Sequence, residues 1–297
     1  MKAFDIVKNK VKFLIIPAVI VLLGIIMYFV NSGFNYDIEF MGGIKMQIAW
    51  DNPASTEEVK AYLEENTQIK PLVVQTTNTG ISIKTKAGEE SNKDKIFSAL
   101  QEKYSLADDA MQSVSSASAS FGNQVQRKAF LFTAIAILCI LIYIAIRFEW
   151  RSAIMAVIAL IVSILVMMSV YAIFYTPLNT TFIAAMLTVV GYSINNTIVV
   201  FDRIRENMKR LNTKRGITVS MLVNESIHES YGRTLNTTIT TLITIVLLYF
   251  IGVSSVKEFA FPLIVGIIAG AYSSIFIASP FWASWKEAEA ESKRSKK

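Results

Sequence analysis

Six apolar stretches limit what this chain can fold into more than any other feature of the sequence. They occupy residues 13–30, 129–146, 153–174, 181–201, 235–252 and 259–282. Each is close to the ~20 residues that an α-helix needs to cross a bilayer. Because the bilayer core holds no water to satisfy backbone N–H and C=O groups, stretches of this length are expected to be helical. The sequence therefore predicts an α-helical polytopic membrane protein with six transmembrane helices.

The composition agrees with this class and argues against several others. Hydrophobic residues make up 53% of the 297 residues and charged residues only 18%, which is too apolar for an ordinary soluble domain. A single cysteine, Cys139, and a single histidine, His228, argue against a disulfide framework and a multi-histidine metal cluster. The sequence contains no phosphate-binding glycine loop and no nucleophile motif. We therefore expect no metal, no cofactor and no enzymatic activity.

The segment between the first two spans, residues 31–126, has the character of a soluble domain. Its periodicity predicts a strand, a helix, two strands, a helix and a strand over residues 44–50, 55–66, 72–77, 80–86, 91–104 and 111–120. Residues 78 and 79 are predicted to form a hairpin turn. Because this β-α-β-β-α-β order is that of a ferredoxin-like fold, we predict a ferredoxin-like α+β domain between helices 1 and 2.

The distribution of Lys and Arg predicts the orientation in the membrane. The formal net charge of +6 would also suit a nucleic-acid-binding protein, but the basic residues lie in alternate connections. Since cytoplasmic connections are enriched in Lys and Arg, we expect cytoplasmic termini, an extracytoplasmic domain and no nucleic-acid partner. The predicted segments are the amino terminus with the first helix (1–30), the extracytoplasmic domain (31–126), a bundle of five helices (127–285) with a cytoplasmic loop (202–233), and a basic cytoplasmic tail (286–297).

The fourth predicted span carries an unusual set of polar side chains. They are Tyr192, Ser193, Asn195, Asn196 and Thr197. In hydrocarbon such side chains are costly unless they pair with groups on a neighbouring helix. Two interpretations follow from the residues alone: the side chains hold helices together, or they line a pathway through the membrane.

The fifth predicted span offers a matching polar row. Arg233, Asn236, Thr237 and Thr240 recur at helical spacing. An antiparallel connection would place this row in the same half of the membrane as Asn196, so that the two could face each other. Arg233 by itself also fits an arginine that reaches the membrane interface from a helix end. In the last span, the GxxxG spacing at 266–270 predicts close helix packing, within the chain or with another chain.

Three segments resemble the SecF family of protein-export membrane subunits. Residues 187–206 read LTVVGYSINNTIVVFDRIRE and are similar to the family signature. Its motif positions in this sequence include Gly191, Tyr192, Ser193, Asp202 and Arg203. The pair Gly42 and Gly43 resembles the turn that opens the family's extracytoplasmic domain, and we interpret it as a tight turn in which glycine permits a positive φ. Residues 224–241 resemble the segment that leads into the family's fifth span.

This resemblance implies a fold of the resistance-nodulation-division type in the bacterial plasma (inner) membrane, surrounded by lipid. It also implies an accessory subunit of the Sec translocase. Such a subunit pairs with SecD beside the SecYEG channel and uses the ion-motive force to promote preprotein export. Fold alone does not establish cargo. A small-molecule or lipid exporter of the same fold and a purely structural subunit that stabilises the channel therefore remain alternatives.

Asn196 departs from the family pattern, because many members carry an acid at this position. An amide does not gain or lose a proton in the accessible pH range, whereas a carboxylate does. Ion coupling in this chain would then involve the neutral polar groups Asn195, Asn196 and Thr197 together with the row that begins at Arg233. We expect the titrating acid to come from the partner subunit, with Arg233 as its electrostatic counterpart.

The predicted orientation can be tested by cysteine labelling in a Cys139→Ala background. Glu89→Cys should react with a membrane-impermeant reagent added outside intact cells, because residue 89 lies in the predicted extracytoplasmic domain. Lys214→Cys, in the basic loop, should react only after permeabilisation. Labelling of Lys214→Cys in intact cells would contradict the predicted topology.

Overall fold

A computed structural model describes residues 5–67, 69, 71, 73–77, 80–85, 92–117, 119–147, 149–209 and 217–295. The chain divides into two compact units. The sheet unit comprises Tyr36–Leu131 and Pro177–Thr180. The helical unit comprises Met1–Asn35, Phe132–Thr176 and Thr181–Lys297.

Four strands and ten α-helices are assigned among the described residues. In chain order they are α1 (Lys10–Val30), α2 (Ile38–Met41), β1 (Gly43–Ala49), α3 (Thr56–Thr67), β2 (Val73–Thr77), β3 (Gly80–Thr85), α4 (Asn92–Tyr104), β4 (Met111–Ala117), α5 (Ala119–Arg147), α6 (Trp150–Ile173), α7 (Thr180–Met208), α8 (Val219–Ile251), α9 (Ser254–Ser273) and α10 (Ser279–Ser295). A π-helical turn, Ser274–Ala278, joins α9 to α10.

Six helical segments of the described chain are long and apolar enough to cross a membrane, which confirms the predicted number of spans. They are α1, α5, α6, α7, α8 and the continuous segment from α9 into α10. Several of these helices extend beyond the predicted apolar stretch. α7 continues to Met208 and α8 begins at Val219, well before the apolar run that starts at residue 235. Hydropathy detects the part of a helix that suits lipid, whereas the helix itself ends only where its backbone hydrogen bonding ends.

The sheet unit contains one four-stranded antiparallel sheet with the strand order β2-β3-β1-β4. Along the chain, α3 and α4 fall where the two helices of this domain were predicted. Side chains of β1 alternate, so Ile44, Met46 and Ile48 are buried. They pack with apolar side chains of α3 and α4, among them Leu63 and Leu100. The predicted hairpin residues 78 and 79 lie outside the described residues.

The turn between α2 and β1 has the positive backbone angles predicted for its two glycines. Gly42 has φ 75° and Gly43 has φ 137°. A Cβ atom on Gly43 would lie 2.1 Å from the backbone O of Thr85 on β3. β1 can therefore begin directly against β3 only with glycine at position 43, because there is room for a hydrogen atom but not for a Cβ atom.

In the helical unit α9 approaches α7 closely at the GxxxG pair. A Cβ atom on Gly266 would lie 2.4 Å from Cγ2 of Val189, and one on Gly270 would lie 2.9 Å from Cβ of Ser193. The GxxxG packing thus takes place within this chain. The same device brings α1 against α6, where a Cβ atom on Gly24 would lie 2.3 Å from Cβ of Ser169. Without a hydrophobic driving force in lipid, such close backbone approach is a main source of helix association.

Replacement of Gly43 by alanine should disrupt the sheet. The positive φ costs about 1–3 kcal/mol for a non-glycine residue, and the clash with Thr85 adds to that cost. Gly33→Ala is the matched control, because Gly33 also has a positive φ (125°) but a Cβ atom there would meet open space. Hydrogen exchange of the β1 and β3 amides in the full chain should accelerate strongly in Gly43→Ala and remain near wild type in Gly33→Ala. Equal exchange in the two variants would contradict the steric explanation.

Gly266→Ala should destabilise the helical unit by about 1–3 kcal/mol, because a methyl group there would overlap Val189 of α7 and Met167 of α6. Adding Val189→Ala should recover part of the loss, which a double-mutant cycle of thermal stability in detergent measures as a coupling energy. Gly232→Ala in α8 is the control, since its Cβ atom would meet nothing within 4 Å. Strictly additive effects of Gly266→Ala and Val189→Ala would show that the two positions are not in contact.

Candidate functional site

The signature segment of α7 separates its polar side chains onto two faces. Ser193, Asn196 and Thr197 are each at most 2% exposed. Gly191 and Asn195 are exposed, and Tyr192 is half-buried. Successive residues of an α-helix point about 100° apart, so the two adjacent carboxamides are directed to different surroundings.

Buried hydroxyl groups link α7 to the π-helical turn of the last span. Thr197 Oγ1 lies 2.7 Å from Ser274 Oγ and 3.0 Å from the backbone O of Ser193. Ser274 Oγ also lies 2.8 Å from the backbone O of Gly270. We call the hydroxyls of Thr197 and Ser274, together with the backbone O of Ser193 that both contact, the hydroxyl cluster. Its hydrogen bonds are made inside the chain, as expected for side chains that hold helices together. The turn that supplies Ser274 is of the π type that often occurs at functional sites.

Asn196 differs from the hydroxyl cluster although it is equally buried. Its Nδ2 donor has no hydrogen-bond partner among the described residues. Leaving a buried donor unpaired costs about 1–3 kcal/mol. Helix packing therefore explains the hydroxyl cluster but does not by itself explain the carboxamide of Asn196.

The polar row predicted on the fifth span forms an exposed stripe along α8. We define the polar stripe as Arg233, Asn236, Thr237 and Thr240, all of which are exposed. Thr237 Oγ1 donates to the backbone O of Arg233 at 3.0 Å, and Thr240 Oγ1 donates to that of Asn236 at 2.9 Å. The threonine hydroxyls are thus satisfied by their own helix. Arg233 forms no ion pair with any described residue, so its charge remains available at the surface.

Contact between α7 and α8 occurs through residues other than those predicted to face each other. Tyr192 Oη lies 3.5 Å from Oγ1 of Thr238, which is on the buried face of α8. No hydrogen bond joins Asn196 to the polar stripe in the part of the chain that the structure describes. The stripe and Asn195 are exposed, whereas Asn196 is directed into the bundle.

At the end of α7, Arg203 connects the two helices. Its Nε donates to Oε2 of Glu229 at 2.7 Å, and its Nη1 donates to Glu206 at 2.5 Å. Asn207 Nδ2 donates to the same oxygen of Glu229 at 2.7 Å and to Ser226 Oγ at 3.0 Å. Glu229 and Asn207 were not singled out from the sequence. The signal was present, since Glu229 lies in the segment 224–241 that resembles the family. Asp202, beside Arg203, is exposed on α7.

Two acidic residues that precede the glycine pair were also not predicted, and both have structural partners in the sheet unit. Asp37 is buried, lies 3.3 Å from Nζ of Lys84 and 3.4 Å from Nζ of Lys45, and caps α2. Glu39 Oε2 accepts from the backbone N of Thr180 at 2.7 Å and from its Oγ1 at 2.6 Å. The carboxylate of Glu39 thereby caps the first turn of α7, where the helix dipole favours a negative charge. Gly42 follows α2 as its C-cap residue, and Gly43 is the first residue of β1.

Among the described residues, no cluster of three or more His, Cys, Asp or Glu side chains is arranged to hold a metal ion.

Comparisons with known proteins all identify the same family. The family model "Protein export membrane protein SecD/SecF, C-terminal" matches residues 96–288. The protein translocase subunit SecF of Thermodesulfovibrio yellowstonii is 36% identical over 280 residues, which cover 93% of this chain and 92% of that protein. The protein translocase subunit SecDF of Bacillus subtilis is 32% identical over 289 residues, which cover 96% of this chain and 38% of that protein.

A solved structure supports the same assignment. The crystal structure of SecDF from Thermus thermophilus, a translocon-associated membrane protein, matches 96% of this chain with a TM-score of 0.85 and 28% identity. This chain spans 39% of that structure's chain, so it corresponds to part of SecDF and to nearly all of a separate SecF. Its six apolar helices agree with a multi-pass protein of the bacterial cell membrane. The chain belongs to the SecD/SecF family of protein-export membrane proteins, as an accessory protein translocase subunit of the SecF type.

Proposed function

We propose that this chain assembles with SecD through the polar stripe of α8 and, with it, uses the ion-motive force to promote preprotein export at the SecYEG channel. The observation that carries the proposal is the exposure of the polar stripe on a membrane-spanning helix. The SecDF relatives support it, because in them the region similar to this chain is part of one longer protein.

The position of the stripe in the membrane makes lipid an unsuitable neighbour. From Arg233 to the end of α8 at Ile251 the helix rises ~27 Å, close to the ~30 Å of the hydrocarbon core. Arg233 therefore lies near one interface, where a long side chain can reach water. Thr240 lies near the middle of the core. A charged and an amide side chain on the same face as Thr240 favour a polar protein partner over lipid.

Ion coupling then requires a titrating group outside this chain. The six apolar stretches of the sequence contain no Asp, Glu or His. Neither an amide nor a guanidinium side chain can supply a titrating group. On this proposal an acid of the partner approaches Arg233. Proximity of the guanidinium favours the ionised acid, and separation allows the acid to take up a proton or bind another cation.

Contacts in the helical unit support the proposed orientation. Lys10 Nζ bonds Ser284 Oγ, which places the basic amino-terminal end of α1 beside α10. Arg151 Nη2 lies 2.6 Å from Oε2 of Glu289, so the start of α6 meets the same helix. The basic segments thus gather at one end of the bundle, and the positive-inside rule makes this end cytoplasmic. Both termini are then cytoplasmic.

The sheet unit is proposed to be a ferredoxin-like domain on the extracytoplasmic side, in the position where it would meet an emerging preprotein. Its antiparallel order β2-β3-β1-β4, with α3 and α4 as the two helices between strands, supports this classification.

Substitution of Arg233 separates ion coupling from assembly. Arg233→Ala should abolish gradient-stimulated export and leave the SecD–SecF complex assembled, because the charge acts on the partner's acid while the other three residues of the polar stripe still contact SecD. Arg233→Lys should keep partial activity, since a point charge remains although the planar fork is lost. Asn196→Asp should be tolerated or change the pH dependence, because it restores the acid that many relatives carry.

The measurement is export rate against pH, with complex abundance determined in parallel. Thr188→Val is the matched control, because it removes an exposed hydroxyl that bonds only its own helix and lies outside the polar stripe, and it should export like wild type. Wild-type export by Arg233→Ala would defeat the coupling proposal. The purely structural function would then be preferred.

A further inference from the structure

A pocket outside the polar stripe and the hydroxyl cluster opens at the proposed cytoplasmic end of the helical unit. Its volume is about 260 Å³, and it lies where α6 begins, α7 ends and α10 passes. Phe201, Ile204 and Trp282 form an apolar floor. Glu149, Arg205 and Lys286 supply charged groups. None of these residues takes part in the function proposed above.

The charged groups leave one net positive charge. Glu149 is already paired, since Oε1 lies 2.7 Å from Nζ of Lys286 and 2.5 Å from Nη1 of Arg151. Arg151 is in turn paired with Glu289 at 2.6 Å. Arg205 is exposed and forms no ion pair with any described residue. Three cations and two carboxylates therefore make this group net positive, and the uncompensated charge belongs to Arg205.

A buried donor in the floor points to a ligand. Trp282 is 4% exposed, its ring centroid lies 6.0 Å from that of Phe201, and Nζ of Lys286 lies 5.9 Å from its ring. Its indole Nε1 has no hydrogen-bond partner among the described residues. An indole N–H can only donate, so the group that would satisfy it is an acceptor. Leaving a buried donor of this kind unpaired is energetically unfavourable.

The start of α6 adds to the preference for an anion. Glu149 is its N-cap residue but makes no side-chain capping hydrogen bond, and Ser152 in the first turn lines the pocket. The amino-terminal end of a helix this long carries a partial positive charge.

Aromatic residues indicate the depth of the pocket in the membrane. Three of the four tryptophans of the chain, Trp150, Trp282 and Trp285, lie at this end of the bundle. The rings of Trp150 and Trp285 meet edge to face with centroids 5.3 Å apart, and Trp150 is 52% exposed. Tryptophan is enriched at the level of the lipid headgroups. The pocket thus lies where a headgroup phosphate is available.

We propose that this pocket binds the phosphate headgroup of an anionic phospholipid. Arg205 and the indole N–H of Trp282 contact the phosphate, and Phe201 and Ile204 pack against the glycerol and the first methylene groups. A volume of about 260 Å³ holds the headgroup region only, so the acyl chains continue along the protein surface into the bilayer. Basic pockets between membrane helices on the cytoplasmic side are known to select anionic headgroups in this way. The lipid would hold the ends of α6, α7 and α10 together.

The proposal is tested by lipid titration of the purified full chain in detergent, followed by native mass spectrometry and thermal unfolding. Phosphatidylglycerol should bind and raise the Tm, whereas phosphatidylcholine with the same acyl chains should not. Arg205→Ala should weaken binding about fivefold, as expected for loss of roughly 1 kcal/mol from one basic contact. Trp282→Phe, which keeps an aromatic ring but removes the N–H donor, should weaken binding by a similar factor.

Lys12→Ala is the matched control, since Lys12 is an exposed cation on α1 at the same end of the bundle but outside the pocket. It should leave phosphatidylglycerol binding unchanged. Equal weakening by Lys12→Ala and Arg205→Ala would overturn the proposal, because the attraction would then be a general surface effect. Equal binding of the two lipids would also overturn it. If soluble glycerol phosphate raised the Tm as much as phosphatidylglycerol, the lipid assignment would be wrong and the site would bind a free anion.

Discussion

The lack of water in the bilayer core is the constraint on which the rest of this structure depends. Each spanning segment satisfies its backbone polar groups internally, and hydrophobic burial no longer drives helices together. Close approach between helix backbones then becomes a main source of helix association. Gly24, Gly266 and Gly270 supply it, because at each of these positions a Cβ atom would overlap a neighbouring helix. The hydroxyl cluster then adds hydrogen bonds at a distance that only such close packing allows.

Polar side chains of the same type have two different roles in α7 and α8. Thr197 and the threonines of the polar stripe have similar side chains, yet Thr197 joins two helices whereas Thr237 and Thr240 bond only to their own backbone. The first belongs to the interior of the chain. The second kind is compatible with a surface that meets another membrane protein, because no partner is needed to satisfy the hydroxyls. In contrast, the side chains of Arg233 and Asn236 would gain hydrogen bonds or charge pairing from a neighbouring protein.

One end of the helical unit is organised by charge, in contrast to the packing of small residues farther into the membrane. Arg203 joins α7 to Glu229 of α8, and Arg151 joins the start of α6 to Glu289 of α10. Ion pairs near water contribute little stability individually. Their effect here is to set which helix ends lie together. The pocket with Arg205 lies at this end, so a ligand there would act on the ends of the same helices that the ion pairs arrange.

The sequence by itself determined the membrane class, the six spans, the order of elements in the sheet unit and the family. The length of each apolar stretch, the alternation of apolar residues in the strands and the signature at 187–206 are local properties of the sequence. They can be identified without knowledge of the tertiary structure. The positive φ of Gly42 and Gly43 was predictable for the same reason, since a glycine pair before a strand indicates a turn.

Tertiary structure alone decided which side of each helix meets which neighbour. The helical spacing of the sequence is compatible with Asn196 facing the polar row of α8, whereas in the structure Asn196 is buried and the row is exposed. Periodicity gives the relative angles of residues on one helix but not the rotation of that helix against others. That rotation depends on Gly266 and Gly270, because α7 packs closely against α9 at these two positions. For the same reason, the partners of Arg203 and the pocket around Trp282 could not be predicted, because each combines residues from helices far apart in the chain.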